Sequence, residues 1–500
     1  MMNGLEKSDS AVVAMKPANN AAPAAAEWVE PRAGTKGNTE QPHTRRTQRR
    51  ASVSQGLDGV RQAAKLRKKQ KFTALLHHIN PARLRDAFYA LKRIAAPGVD
   101  GVRWADYEEG LERKLIQLHQ RVSGGTYRAL PVRRQYIAKP DGTQRPLGIA
   151  ALEDKIVQRA VVQVLSTIYE QDFVGFSYGF RPQRSQHDAL DALAVAITSK
   201  RVNWILDADI KGFFDAINQD WLIKFIEHRI GDPRMVRLVR KWLKAGVLET
   251  GQQAGQQTGQ VTFSEQGTPQ GAVISPLLAN VYLHYVFDLW AKQWRQRSAR
   301  GHMVVVRYAD DIVVGFEHEA QAREFWDNMR ERFKQFGLEL HEGKTRLIEF
   351  GRYAARRRDR RGMGKPQTFT FLGFTFICGQ TRTGAFGLRR KTRADRMRAK
   401  LQDIKVQLRR RMHQSIPEQG RWLNLVVRGY FAYHAVPTNG PALGAFRLRV
   451  SNLWRRTLRR RSQKDTLTLK RMDSIANAWL PQPRILHPWP SERFAVKHPR

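Results

Sequence analysis

The sequence predicts an α+β protein with more than one domain. Its 500 residues exceed what one hydrophobic core usually serves, which suggests roughly two to four domains. Residues 153–169 carry apolar side chains on one helical face, whereas residues 202–206 and 303–308 are short apolar runs typical of buried strands. A single cysteine, Cys378, excludes an intramolecular disulfide and a cysteine-based zinc site. No apolar run reaches the length of a membrane span, and we expect no membrane partner.

The elements follow in order along the chain. Residues 1–55 are rich in Ala, Pro and Asn and end in a cluster of arginines, which predicts a flexible basic arm. Asp141-Gly142 favours a tight hairpin turn within residues 133–149. Further helices are expected at 70–93, 104–122, 319–336, 392–411 and 445–461, and a strand at 345–350.

Charge is the strongest compositional signal. The 87 Lys and Arg residues against 45 Asp and Glu give a net charge of +42. Half of this excess, +21, lies between Ala385 and the end of the chain. A polyanion is the partner that best offsets such self-repulsion, so the charge favours a nucleic-acid-binding protein over a merely basic surface.

Three aspartates stand where apolar strands end. Asp209 follows the run 202–206 closely, and Asp310-Asp311 separates the apolar runs 303–308 and 312–316. Unpaired buried carboxylates are costly, and Mg²⁺ is a cation that oxygen ligands hold well. The pattern therefore predicts a site for two Mg²⁺ ions, with an exposed acidic turn as the simpler alternative.

These acids belong to a series of motifs that resembles a known family. In chain order the motifs are Arg145-Pro146-Leu147-Gly148-Ile149, Tyr178-Gly179-Phe180-Arg181-Pro182, Ala208-Asp209-Ile210-Lys211-Gly212-Phe213-Phe214-Asp215, Gly267-Thr268-Pro269-Gln270-Gly271, Ser275-Pro276-Leu277-Leu278-Ala279-Asn280 and Tyr308-Ala309-Asp310-Asp311. Over residues 70–350 the sequence resembles the reverse transcriptases and maturases encoded by group II introns. Ala272 departs from the family pattern, which usually has a second glycine after Gly271.

The resemblance implies a right-hand polymerase of fingers, palm and thumb with a helical maturase domain. It implies fingers and palm at 56–350, a connection at 351–384, a helical thumb at 385–460 and a basic tail at 461–500. Asp209, Asp310 and Asp311 match the acids that bind two Mg²⁺ ions, for which Mn²⁺ can substitute. The residues matching nucleotide-binding positions are Lys139, Arg145, Phe213, Phe214, Gln270 and Lys344. The residues expected to contact template or intron RNA are Arg181, Arg184, Arg389, Arg390, Lys391 and Arg393.

One of the two neighbouring phenylalanines would act as the gate that excludes a ribose 2′-hydroxyl, and we favour Phe213. Lys344 would donate a proton to the leaving pyrophosphate. Asp207 is a nearby alternative metal ligand, whereas Asp215 more simply supports the local turn.

The function implied is an RNA-directed DNA polymerase that binds its group II intron RNA, promotes splicing and copies the intron during retrohoming. Its partners would be the intron RNA, an RNA template with a DNA primer, target DNA and dNTPs, in the bacterial cytoplasm and at the nucleoid. We expect a member without the endonuclease domain. The alternatives are another bacterial reverse transcriptase, of the retron, diversity-generating or phage-defence type, and a splicing cofactor without polymerase activity.

Overall fold

The computed structural model describes residues 56–138, 144–253, 256–461 and 467–497. The basic arm and the Asp141-Gly142 turn lie outside these residues. Across the described residues the strands are β1 (Val132–Ala138), β2 (Gln144–Ile149), β3 (Trp204–Ala208), β4 (Val247–Gln253), β5 (Gln256–Thr262), β6 (Met303–Tyr308), β7 (Asp311–Phe316), β8 (Arg346–Glu349), β9 (Phe369–Phe371), β10 (Phe374–Gln380) and β11 (Phe386–Thr392). They form three sheets, which together with many helices confirm the expected mixture of α and β structure.

Helices cover most of the remaining described residues. The first described helix occupies residues 56–66. Those that follow are Pro81–Tyr89, Trp104–Glu108, Leu111–Ser123, Leu152–Asp172, Gln186–Ser199, Phe213–Ala216, Gln219–Arg229, Pro233–Leu243, Ser275–Leu283, Leu289–Arg297, Glu319–Gln335, Arg352–Arg360, Ala394–Arg410, Ile416–His434, Gly440–Arg459, Leu469–Trp479 and Pro490–Lys497. A π-helical turn, His284–Asp288, joins two of them. None of the described helices is both long and apolar enough to cross a membrane.

The N-terminal sheet has the strand order β2-β1-β4-β5. The hairpin of β1 and β2 was predicted, but the hairpin of β4 and β5 was not. Gln and Gly dominate residues 250–260, so this stretch lacks the apolar alternation that signals a strand. It is nonetheless paired through the backbone from Val247↔Thr262 to Gln253↔Gln256, and β4 lies parallel to β1.

The central sheet, β6-β7-β3-β8, is antiparallel throughout. Its strands are short and apolar, and the interior residues of β3 and β7 are buried. The helices Leu152–Asp172 and Ser275–Leu283 contribute to the same large core, the first through its apolar face and the second through most of its residues. The rigid sheet therefore fixes whatever side chains stand at its ends.

The C-terminal part combines a sheet with a group of helices. Strands β9, β10 and β11 form the third sheet, so β11 continues the pairing beyond the boundary predicted at 384–385. Four helices between Ala394 and Trp479 share one core around Trp454, whose indole Nε1 donates to Gln419 at 2.7 Å. The last helix, Pro490–Lys497, returns to helix Gln186–Ser199, where Asp191 pairs with Arg390 and Arg493.

Candidate active site

The hairpin of β6 and β7 presents the acidic pair. Tyr308 pairs with Asp311, which leaves Ala309 and Asp310 as a two-residue turn. Ala309 adopts a left-handed backbone (φ 56°), a conformation that costs a non-glycine residue about 1 kcal/mol. The turn packs directly on the motif glycine Gly179, where an added Cβ would stand 2.2 Å from the Ala309 nitrogen. Only glycine fits here without moving the turn.

The third aspartate is brought to the same place by strand register. Ala208 of β3 pairs with Ile312 of β7, so the residues that follow and precede them, Asp209 and Asp311, meet at one end of the central sheet. Asp207 also belongs to this end, opposite Arg346 of β8. We call this end, with Asp207, Asp209, Asp310 and Asp311, the acidic end of the sheet.

The four carboxylates influence one another electrostatically. Although the Asp311 side chain reaches solvent, protein atoms crowd around it, and this burial, followed by repulsion from Asp310, Asp209 and Asp207, raises its pKa to about 7. Burial and the Asp209 charge also raise the pKa of Asp310. Burial, opposed by Arg346, raises the pKa of Asp207 to about 6. The acidic end therefore favours the approach of a cation.

Two cations already contact this end. The Lys344 ammonium lies 3.1 Å from Oδ2 of Asp209, and the Arg346 guanidinium lies 3.5 Å from Oδ2 of Asp207. The Lys344 side chain is 63% exposed, so it is free to move when another cation approaches. Backbone hydrogen bonds, such as that from His341 N to Asp209 O at 2.8 Å, hold the segment carrying Lys344 against β3.

The donors at the acidic end fit a hard divalent cation. They are carboxylate oxygens, which are common ligands of Mg²⁺ and Mn²⁺. A bound ion would reduce the repulsion between the carboxylates. As positioned, no three acidic, histidine or cysteine side chains among the described residues are grouped closely enough to hold a metal ion. The expected convergence of the aspartates is thus seen in the strand register and the electrostatics, but not as a formed set of metal ligands.

A buried arginine supports the acidic turn. Arg307, fully buried in β6, donates to both carboxylate oxygens of Asp288, at 2.7 and 2.5 Å. The same guanidinium donates to the Ala309 carbonyl at 2.9 Å and to the Asn280 side chain at 3.0 Å. Asn280 in turn donates to the Gly179 carbonyl at 2.7 Å. Three motifs distant in sequence are therefore joined beneath the aspartates.

Sequence reasoning missed this support, although a signal was present. Arg307 stands within an apolar strand, and a charge in such a strand requires a buried partner. Asp288 could not be identified as that partner, because it lies in a helical segment nineteen residues earlier.

The predicted gate residues occupy different environments. Phe213 is buried, with 3% of its surface exposed, and belongs to the main core. Phe214 is only half-buried, and its carbonyl accepts from Thr268 N at 2.8 Å. Our preference for Phe213 is therefore revised, because a side chain buried in the core cannot contact the sugar of a nucleotide. Phe214 becomes the better candidate for the gate.

The loop of residues 267–271, which we call the glycine-rich loop, approaches the N-terminal sheet closely. Gly148 N donates to the Gln270 carbonyl at 2.6 Å, and a Cβ on Gly271 would lie 2.8 Å from the Gly148 carbonyl. The half-buried Gln270 is thus held beside β2 by its backbone. Ala272 is buried and its nitrogen donates to Pro269 O, so the departure from the family pattern is accommodated.

Basic side chains from both flanking regions reach toward the acidic end. Arg145, exposed on β2, lies close enough to Asp310 for its charge to offset part of the rise in the pKa of that carboxyl group. Arg393, which follows β11, has the same influence on Asp311 and Asp207 while pairing with Asp395 at 2.6 Å. Lys139, the other predicted basic residue of the hairpin, lies outside the described residues.

Two of the predicted RNA contacts are corrected by burial. Arg181 is 3% exposed and donates to Glu170, Val174 and Ser177, so it serves the fold. Arg390, equally buried, is paired with Asp191 at 2.6 Å.

The other predicted RNA contacts remain accessible. Arg389 and Lys391 are exposed on alternate positions of β11. Arg184 is half-buried and lies over the Tyr178 ring at 5.2 Å. These three, together with Arg393, remain candidates for contact with nucleic acid.

The sequence of this chain was compared with known protein families and proteins. Residues 137–376 match the family described as reverse transcriptase (RNA-dependent DNA polymerase). The matched segment contains the acidic end, the Arg307 network and the glycine-rich loop. Group II intron-encoded protein LtrA of Lactococcus lactis subsp. cremoris is 46% identical over 194 residues, which cover 38% of this chain and 31% of LtrA. Residues 137–376 of the chain are therefore similar to the reverse transcriptases, and LtrA, a group II intron-encoded protein, is one of the chain's relatives.

Two further proteins are similar to this chain over part of its length. Protein YkfC of Escherichia coli K12 is 36% identical over 248 residues, or 44% of this chain and 62% of YkfC. Among solved structures, a telomerase from Candida albicans in complex with a fragment of telomeric RNA aligns with a TM-score of 0.40 and 12% identity, over 75% of this chain and 66% of that one. That score is too low to establish a shared fold. The alignments span about a third of LtrA and less than two thirds of YkfC.

Proposed function

We propose that this protein is an RNA-directed DNA polymerase of the reverse transcriptase family that also acts as a group II intron maturase. The observation that carries the proposal is the meeting of Asp209, Asp310 and Asp311 at one end of the central sheet, within the segment that matches the family. The substrates would be an RNA template, a DNA primer and dNTPs. The intron RNA and the target DNA would be its further partners, in the bacterial cytoplasm and at the nucleoid.

In this proposal the central sheet is the palm and the N-terminal sheet belongs to the fingers, within residues 56–350. Residues 351–384 connect to a helical thumb at 385–460, with a basic tail at 461–500. The pairing of β11 with β10 ties the first strand of the proposed thumb to the connection. The helices around Trp454 would form the maturase part of this unit.

Asp209, Asp310 and Asp311 would hold two Mg²⁺ ions, or Mn²⁺ in their place. When bound, the ions would stabilise negative charge on the attacking and leaving oxygens of an in-line phosphoryl displacement. Lys344, now paired with Asp209, would turn to the leaving pyrophosphate and donate its proton there. Holding these groups in register is the task of the rigid sheet and of the Arg307 network.

The nucleotide would lie between the fingers and the acidic end. Arg145 and Lys139 would bind the triphosphate, with the guanidinium offering a bidentate fork. Phe214 would exclude the 2′-hydroxyl of a ribonucleotide by its bulk, and the Gln270 amide would orient the base or sugar. Arg184, Arg389, Lys391 and Arg393 would hold the template or intron RNA by its phosphates.

The decisive test is primer extension on poly(rA)/oligo(dT) with Mg²⁺. We expect Asp310→Asn to abolish extension while RNA binding is largely retained, because the substitution removes a ligand at the acidic end and leaves the basic surfaces unchanged. Asp359→Asn, the same substitution at an exposed acid in helix Arg352–Arg360, is the matched control and should extend normally. Substantial extension by Asp310→Asn would overturn the assignment of the site.

A further inference from the structure

A short basic segment lies at the opposite end of the central sheet from the aspartates. Residues 352–365, which we call the basic segment, comprise helix Arg352–Arg360 and the five residues after it. Seven of its fourteen residues are cationic and one, Asp359, is acidic, which gives a net charge of +6. Like charges one turn apart destabilise a helix, so an anionic partner would reduce the repulsion within this segment.

The helix is fixed to the sheet by specific contacts. Gly351 has φ 127° and approaches so closely that an added Cβ would stand 2.1 Å from the Val202 carbonyl. Ala354 is fully buried. Arg357 and Arg358 form ion pairs with Glu349, the last residue of β8, at 3.2 and 3.5 Å. The basic segment is therefore a surface held in place, and two of its arginines share the single Glu349 carboxylate on the inner side.

The outer side carries a row of exposed arginines. Arg352, Arg356 and Arg360 are spaced four residues apart, so they follow one another on one face at steps of about 6 Å. Arg361 and Lys365 extend the exposed charge. Within the described part of the chain, no ion pair joins any of these five to an acid, and the Arg352 guanidinium makes one long hydrogen bond to the Thr198 carbonyl at 3.2 Å.

A phosphate backbone is the partner that fits this row. Guanidinium groups bind phosphates through paired hydrogen bonds, and an even row matches a strand of regularly spaced phosphates better than it matches scattered carboxylates. Tyr353, 37% exposed beside the row, offers a ring on which an unpaired base can stack.

The position of the segment separates this contact from polymerisation. Glu349 pairs with Trp204, at the start of β3, whereas the acids follow Ala208 at its end. Four residues of extended strand, about 13 Å, lie between the two ends. Nucleic acid on the basic segment would therefore be a different stretch from the primer terminus.

We propose that the basic segment binds the phosphate backbone of structured RNA at the end of the central sheet opposite the polymerase site. The proposal deepens the proposed function and rests on its RNA partner. Because Arg352, Arg356 and Arg360 release counterions on binding, their contribution should be visible in the salt dependence of RNA affinity.

The test uses the full chain and, as the probe, a fluorescently labelled 40-base-pair RNA hairpin with a single-stranded loop. Arg352→Gln, Arg356→Gln and Arg360→Gln are combined in one variant. At 0.15 M salt we expect about tenfold weaker binding, and a slope of log K against log salt that is shallower by about 2. Extension on poly(rA)/oligo(dT) at saturating template should stay within about twofold of the parent, because the acidic end is unchanged.

The matched control removes three equally exposed arginines that are already paired with acids. Arg240→Gln, Arg323→Gln and Arg330→Gln change the net charge by the same amount. Equal weakening by both variants, or no weakening by the first, would overturn the proposal while leaving the polymerase assignment untouched. If the first variant melts earlier than the parent, Arg356→Gln with Arg361→Gln repeats the comparison, since neither side chain makes an ion pair within the described residues.

Discussion

The two ends of the central sheet differ in charge and in what supports them. The acidic end gathers four aspartates, and burial together with mutual repulsion raises the pKa of three of them, Asp207, Asp310 and Asp311. The opposite end carries seven cations within fourteen residues, with Glu349 as their anchor. The same short strands thus separate a negatively charged surface, which favours a metal ion, from a positively charged surface, which favours phosphate. A small sheet can hold both because each charge cluster is fixed by its own neighbours.

The largest expected effect comes from removing the support of the acidic end. Arg307→Gln should lower the free energy of unfolding by about 3–5 kcal/mol, because it leaves Asp288 buried without its partner. Chemical denaturation measures this change. Arg330→Gln, at an exposed ion pair, is the control and should cost less than about 1 kcal/mol. Similar stabilities for the two variants would show that the buried network does not support the turn.

A second variant displaces the turn without changing any charge. Gly179→Ala should lower extension by about 100-fold, since its Cβ must push the Ala309 backbone, and a shift of about 1 Å in a catalytic group can cost this much. Gly175→Ala, where nothing lies within 4 Å of the new Cβ, is the matched control. The two variants are compared by their steady-state extension rates. Normal rates for both would show that the position of the Ala309 turn does not matter for extension.

A smaller effect concerns sugar selection. Phe214→Ala should relax discrimination against rNTPs by roughly tenfold, the scale of one lost steric contact. Phe213→Ala should instead cost about 3–5 kcal/mol of stability, because it opens a cavity in the core. The incorporation of rTTP relative to dTTP measures sugar discrimination, and chemical denaturation measures stability, so the two variants can be distinguished. Relaxed discrimination in Phe213→Ala alone would reverse the assignment.

The acidic end could be predicted from sequence because its parts are local. An acid after an apolar strand and an acidic pair between two strands predict a carboxylate site without knowledge of how the strands pack. The order of the motifs in the sequence also resembles that of the group II intron reverse transcriptases. The proposed RNA-binding arginines were harder to predict. Arg181 and Arg390 are as basic in sequence as Arg389, and only tertiary packing buries them against Glu170 and Asp191.

The basic segment and the Arg307 network escaped sequence reasoning for related reasons. Counting charge from Ala385 onward left residues 352–365 out of the excess, although their density is higher. The partner of Arg307 lies in a π-helical turn, a feature without a recognisable pattern. In both cases the missing information was which distant residues meet, and local periodicity does not contain it.

The central claim is that the acidic end is where the protein holds its divalent cations. Electron paramagnetic resonance of Mn²⁺ titrated into the full chain with a primer–template and a non-hydrolysable dNTP tests it directly. Mn²⁺ should bind to the parent and to Asp359→Asn, whereas Asp209→Asn and Asp310→Asn should each weaken binding strongly. Equal Mn²⁺ binding by all four proteins would contradict the account.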